Sequence, residues 1–168
     1  DGDMYIYHQN GQLSNYYHCK YDLIEGLYKK WSVNGVLIFS CDYLNGKKHG
    51  VCNKYYETNE IKSQTDYRFG VKHGSQKIWY PNGLIQTDAK YNEGDLIGLK
   101  RTWHENGKLA SETYVEKNVI LTDRQFDING ETISVIDNRY PQLNTIKKNT
   151  ESLINSSIDG AKKLFTFL

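Results

Sequence analysis

The sequence predicts an all-β protein: an elongated, single-layer antiparallel sheet of hairpin repeats with a 24-residue period, ending in a short C-terminal α-helix. Three observations predict it. Gly26, Gly50, Gly74 and Gly98 stand 24 residues apart. Large aromatics keep the same period at Tyr7, Trp31, Tyr55, Trp79 and Trp103, and again at Tyr43, Tyr67 and Tyr91, while Leu13, Leu37, Ile61, Ile85 and Leu109 form an aliphatic column in phase with them. After residue 130 this period stops, and apolar residues take helical spacings. A period of this length marks stacked copies of one supersecondary unit.

Each unit follows from its turn residues. Gly11, Gly35, Gly83 and Gly107 each follow an Asn, and Asn-Gly between alternating runs is the strongest short hairpin signal. The missing member of that column is Asn59, the residue type that best replaces Gly where φ is positive. A third column holds Gly46, Gly70 and Gly94, with Asp22 one period earlier. The run from Leu27 to Trp31 thus leads into Asn34-Gly35, the run from Val36 to Tyr43 leads out, and the segment from Asn45 to Gly50 turns into the next unit. A lone hairpin is marginal in water, so stacking must pair every strand. One residue is deleted after Gly107; with that shift Tyr114, Phe126 and Asn129-Gly130 rejoin their columns. Five to six units therefore fill residues 1–130. Two strands per unit at ~4.8 Å spacing give a body about 50–60 Å long.

Composition narrows the function classes. The chain has 168 residues, 13% of them aromatic, which excludes wholesale disorder. Its formal charge of +1 disfavours a strongly basic nucleic-acid binder. No apolar run is long enough for a membrane span, and the opening residues lack a charged segment leading into an apolar one, so a cytoplasmic location is expected. The chain opens on Asp1 rather than Met, consistent with removal of a leading segment. Three cysteines (Cys19, Cys41, Cys52) without a CxxC spacing argue against a disulfide framework or zinc site and for a reducing compartment.

The pattern Gly74-(x)4-Trp79-Tyr80-Pro81-Asn82-Gly83-(x)7-Tyr91-(x)2-Gly94-(x)3-Gly98 resembles the MORN repeat in its bacterial and viral variant form. The resemblance covers about three quarters of the chain; the second, fourth and fifth units fit best and the third departs at Asn59. It implies an elongated antiparallel solenoid that scaffolds, dimerises or binds proteins, with some links to membrane lipids. The variant form includes antitoxins of the YwqK type, which neutralise a partner toxin. The resemblance implies no catalysis in the repeats themselves, so no enzyme activity and no cofactor are expected.

Candidate sites divide between packing and binding. His49 and His73 share a phase in adjacent units, which on neighbouring rungs would suit a metal; with no carboxylate or thiol column beside them they read as turn residues, and no metal site is expected. The cysteines read as small buried hydrophobes, since no base accompanies them. The aromatic ladder of Trp31, Trp79 and Trp103 reads first as packing and second as a partner surface. Neighbours on a strand face opposite sides, so Tyr56, Tyr80 and His104 lean toward partner contact. Lysines of the turns (Lys47, Lys48, Lys72) are offset by acidic residues such as Asp42, Asp66 and Asp88, which makes a solvated mixed face the stronger reading. No nucleotide or nucleophile motif appears.

Residues 131–168 form the tail. Ile133 and Val135 fit one more strand, and from Asn144 onward Ile146, Leu153, Ile154, Ile158, Ala161, Leu164, Phe165 and Leu168 fit an amphipathic helix. It would cap the last hairpin, dock a partner, or lie on an anionic membrane, with the cap favoured. The sequence thus points to non-catalytic binding of another protein, a toxin or an assembly partner, or to self-association. The alternative is a membrane- or assembly-associated structural component, a viral particle included, attached through that helix.

Overall fold

The computed structural model describes residues 1–141. Twelve strands run in chain order: β1 (Gly2–Tyr7), β2 (Leu13–Lys20), β3 (Leu23–Trp31), β4 (Leu37–Leu44), β5 (Lys47–Tyr55), β6 (Ile61–Arg68), β7 (Val71–Trp79), β8 (Ile85–Asn92), β9 (Asp95–Trp103), β10 (Leu109–Glu116), β11 (Val119–Phe126) and β12 (Thr132–Asp137). They form one antiparallel meander in which each strand pairs with its neighbours in sequence. The strand expected around Ile133 and Val135 is β12, and it continues the same sheet beside β11. The helix expected from Asn144 lies outside the described residues.

Two kinds of connection alternate. Asn45-Gly46, Phe69-Gly70 and Glu93-Gly94 are two-residue turns with positive φ at both positions, the geometry that matches the twist of a tight hairpin. Tyr21-Asp22 and Lys117-Asn118 make the same turn without glycine. The Asn-Gly sites are the longer kind. Ser32 to Val36 bridges β3 and β4, closed by Ser32 N–H to Val36 C=O (2.8 Å) and Gly35 N–H to Ser32 C=O (3.0 Å). This corrects the assignment of the tightest hairpin to Asn-Gly: the strands there are held one residue further apart by a bulge, Lys30 facing Phe39 while Trp31 faces Leu37. Gly11, Gly35, Gly83 and Gly107 all carry positive φ, and Asn59 sits in the same conformation at φ 71°.

The column of Gly26, Gly50, Gly74 and Gly98 belongs to no turn. Each glycine lies inside a strand and marks a two-residue bulge. Around Gly50, Asp42 faces His49 but Cys41 faces Cys52, so Gly50 and Val51 are extra. The shift recurs from His18↔Glu25 to Tyr16↔Lys29, from Tyr67↔Lys72 to Thr65↔Gln76, and from Lys90↔Ile97 to Asp88↔Arg101. In β11 there is no such glycine and the shift is one residue, between Tyr114↔Thr122 and Val115↔Ile120. The single deletion in the sequence period therefore falls in the last bulge.

The bulges decide what a single-layer sheet can bury. One face carries a row of small side chains, and Cys41 (1% exposed), Cys52 (3%), Thr65 (6%) and Ala89 (1%) are its buried centre. Larger neighbours on the same face cover that row. Tyr28 packs on Phe39 and Tyr43 with ring centres 5.9 and 5.6 Å apart, and Tyr17 stacks on Tyr28 at 5.8 Å. Burial raises the pKa of both Tyr28 and Tyr43, and neighbouring phenols add to it. Lys48 reaches over Phe39 and Tyr67, and Lys72 sits 4.4 Å from the Tyr91 ring centre. Within this row Cys41 and Cys52 are joined as a disulfide, with Cα atoms 4.1 Å apart. The expectation of unpaired cysteines is thereby corrected for these two. Continuing the register of the tight turn would set Cys41 against Gly50; the bulge carries it on to Cys52. Cys19 remains free.

Candidate functional site

The opposite face is built differently. One unbroken row of direct cross-strand partners crosses all twelve strands: Tyr5, Tyr16, Lys29, Ser40, Asn53, Gln64, Lys77, Asp88, Arg101, Glu112, Arg124 and Val135. Opposite charges directly across a ladder stabilise it modestly. The run from Lys77 to Arg124 alternates in sign, and Arg101 Nε reaches Glu112 Oε1 at 2.8 Å. Beside this polar row stand exposed apolar side chains, with Leu27 paired to Asp42, Val51 to Asp66, and Leu99 to Tyr114. The face is a long, regular surface in which apolar and charged groups alternate.

The residues predicted as partner contacts lie at the edge with the longer loops. Trp31, Trp79 and Trp103 pair directly with Leu37, Ile85 and Leu109, and Tyr7 and Tyr55 likewise face Leu13 and Ile61. The aromatic and aliphatic columns of the sequence are thus two sides of one strip, half-buried from Trp31 to Leu109 and exposed at Tyr7. Tyr56, Tyr80 and His104 are not strand neighbours of those aromatics on an opposite face; each opens a loop. The Tyr56 hydroxyl donates to the Trp79 carbonyl (2.7 Å) and the Tyr80 hydroxyl to the Trp103 carbonyl (2.8 Å). His104 Nε2 lies 3.0 Å from the Phe126 carbonyl and His8 Nε2 3.1 Å from that of Trp31, so these ring nitrogens carry the proton and donate. Each of these groups ties its loop to the next repeat.

The asparagines of the Asn-Gly column do a second job that the sequence did not disclose. The Asn82 amide donates to the Glu105 carbonyl of the next loop (2.9 Å), while its oxygen accepts the Leu84 N–H (3.0 Å). Asn10 reaches Val33, and Asn106 reaches Ile128, in the same way. At the opposite edge the tight turns dock backward: Gly46, Gly70 and Gly94 donate N–H to the carbonyls of Ile24, Lys48 and Lys72. The predicted turn glycines therefore also carry hydrogen bonds between repeats.

The loop position of Tyr56, Tyr80 and His104 is taken in the last repeat by Asp127. With no further repeat after it among the described residues, its carboxylate caps its own loop, accepting N–H from Glu131 (2.8 Å) and Asn129 (2.9 Å). The bond from Glu131 is the main cause that holds its pKa below the ordinary carboxylate value. A lowered folded-state pKa stabilises the fold above the unfolded pKa and ceases to do so as pH falls through the folded one. Wild type is expected to melt above Asp127→Asn at pH ~7, with the gap closing below about pH 4, where carboxylates protonate. A gap unchanged at pH ~3 would refute this ionic cap.

The histidine pair does not form a site. His49 packs against the Phe69 ring at 5.1 Å, and His73 Nδ1 lies 3.5 Å from the Glu93 N–H. Among the described residues no three His, Cys, Asp or Glu side chains are grouped to hold a metal ion, and no helix there is long and apolar enough to cross a membrane.

The family model of the MORN repeat variant matches residues 48–68, 72–93 and 96–117. Each match spans one long-loop hairpin, β5–β6, β7–β8 or β9–β10. The matched set includes the unit that carries Asn59 and leaves out the one around Trp31, although β3 and β4 repeat the same ladder. No curated protein matches the chain. Residues 48–117 of this chain are similar to an array of MORN repeat variants, repeats that generally serve as protein- and membrane-binding modules.

Proposed function

We propose that the chain is a non-catalytic protein-binding repeat whose charged face, the one opposite the buried cysteine row, receives the partner. The observation that carries this is the unbroken row from Tyr5 to Val135 with exposed Leu27, Val51, Leu99 and Tyr114 beside it. Interfaces combine apolar anchors with a polar surround, and a flat row with ~4.8 Å spacing offers both in fixed register. The other face spends its aromatics on covering its own small residues. The finer reading is that the partner is a toxin whose surface the sheet masks, with the chain as its antitoxin or immunity protein.

The test is capture of the partner from host lysate by three baits: wild type, Lys29→Glu with Lys77→Glu on the charged face, and Lys54→Glu on the tyrosine face. The charged-face pair is expected to lose the captured protein and the Lys54 variant to keep it. The opposite pattern would move the partner to the other face. Rescue of growth by co-expression, when the captured protein is toxic to the host alone, tests the antitoxin reading.

A further inference from the structure

The charged row does not end neutral. From Lys77 the signs alternate through Asp88, Arg101, Glu112 and Arg124, and the next partner is Val135. Within the row Arg124 has an acidic partner on one side only, Glu112, which Arg101 Nε engages at 2.8 Å; off the row, the Asp137 carboxylate also acts on Arg124. Among the described residues Arg124 makes no ion pair or hydrogen bond through its side chain. A second guanidinium arrives from the segment after β12, where Arg139 is held by Asp137 through Nη2 to Oδ2 (2.7 Å) and Nε to Oδ1 (2.9 Å). These groups open onto one cavity of about 420 Å³ lined by Leu99, Arg101, Glu112, Tyr114, Thr122, Arg124 and Arg139.

Two rungs make its floor. One is Arg101–Glu112–Arg124, the other Leu99–Tyr114–Thr122. The first presents cations, with three guanidinia against the Glu112 carboxylate of the lining and the Asp137 carboxylate bound to Arg139 beside it. The second presents an apolar step, Leu99 and Tyr114 being 39% and 41% exposed, flanked by two hydroxyls that have no partner among the described residues. Guanidinium forks bind planar carboxylates bidentately, and Arg stacks on aromatic or apolar neighbours at little hydration cost. The volume lies within the ordinary range for ligand pockets.

We infer that this cavity is an anchor site for an acidic peptide segment of the partner, one carboxylate held at Arg124 between Arg101 and Arg139 with an adjacent apolar side chain against Leu99 and Tyr114. The inference rests on the protein-binding reading and names the chemistry of what is bound.

The test uses the full chain, 15N-labelled, titrated with acetyl-Leu-Glu-Phe-Glu-Leu-amide, with the Gln-for-Glu version of that peptide, and with citrate and inorganic phosphate. The acidic peptide is expected to shift resonances of β9 to β11 and the Arg124 side chain, at least tenfold tighter than the Gln version. Arg124→Gln is expected to weaken it tenfold or more without changing the melting temperature, and Lys54→Gln, on the tyrosine face, to leave it unchanged. Equal binding of both peptides, or shifts confined to other strands, would overturn the site. Citrate or phosphate binding at these residues as tightly as the peptide would overturn the peptide assignment and leave a small-anion pocket. The proposed partner face fails separately: loss of capture only in the Lys54→Glu bait would sink it even if the peptide bound.

Discussion

Gly74→Ala is expected to lower the stability of the sheet by about 2–5 kcal/mol, the sum of a left-handed backbone cost near 1–2 kcal/mol and an overpacking cost near 1–3 kcal/mol. Gly74 holds φ +112°, and a Cβ placed on it would lie 2.6 Å from Asp66 Oδ2 and 3.0 Å from Asp66 Cβ. Asp66 cannot simply swing away, because the same Oδ2 accepts the Ser75 N–H at 2.8 Å. The bulge thus depends on a side chain that a methyl group would displace. Gly83→Ala is the control: it has positive φ but nothing within 4 Å of the added carbon, so it is expected to show the backbone cost alone. Urea unfolding followed by tryptophan fluorescence measures both. Equal midpoints for the two variants would show that the Asp66 contact does not hold the bulge.

That contrast also marks how far the residues alone could be read. The period, the meander, the positive φ at Asn59 and Asp22, and the strand at Ile133 and Val135 were all legible. Each is a local property: a turn needs a residue that tolerates φ > 0, and a strand needs alternation. The glycine column at Gly26, Gly50, Gly74 and Gly98 was visible too, yet its meaning was not. A bulge is defined by two strands together, and the sequence shows only one of them at a time. The Cys41–Cys52 disulfide was hidden for that reason, since an unbulged register would have faced Cys41 with Gly50. The same limit applied to Tyr56, Tyr80 and His104. Alternation put them on a free face, but they sit where the strand has ended, and their partners are carbonyls 22 or 23 residues ahead. The Arg124 cavity was unreadable because its lining comes from the strands β9, β10 and β11 together with Arg139, which lies just beyond β12.

Tyr56→Phe combined with Tyr80→Phe is the second large effect expected. Each change removes only a hydroxyl and keeps the ring, so packing is preserved. Each leaves a half-buried carbonyl, that of Trp79 or Trp103, without its donor, at about 1–3 kcal/mol per unsatisfied group. The two bonds share no atoms, yet both belong to the hairpin of β7 and β8, one arriving from the preceding repeat and one leaving for the next. In a repeat array stability is carried by nearest-neighbour interfaces, so removing both should uncouple that hairpin from each side rather than destabilise it from within. Hydrogen exchange is the discriminating readout. Protection is expected to fall at the loop amides of Tyr80 and His104, which close onto Leu84 and Lys108, before it falls at the centre of β7. Tyr80→His is expected to retain part of the lost stability, because His8 and His104 already make the same bond elsewhere in the array. Unchanged stability and protection in the double Phe variant would mean that these tyrosines act through their rings alone and that the hydroxyl bonds do not hold the repeats in register.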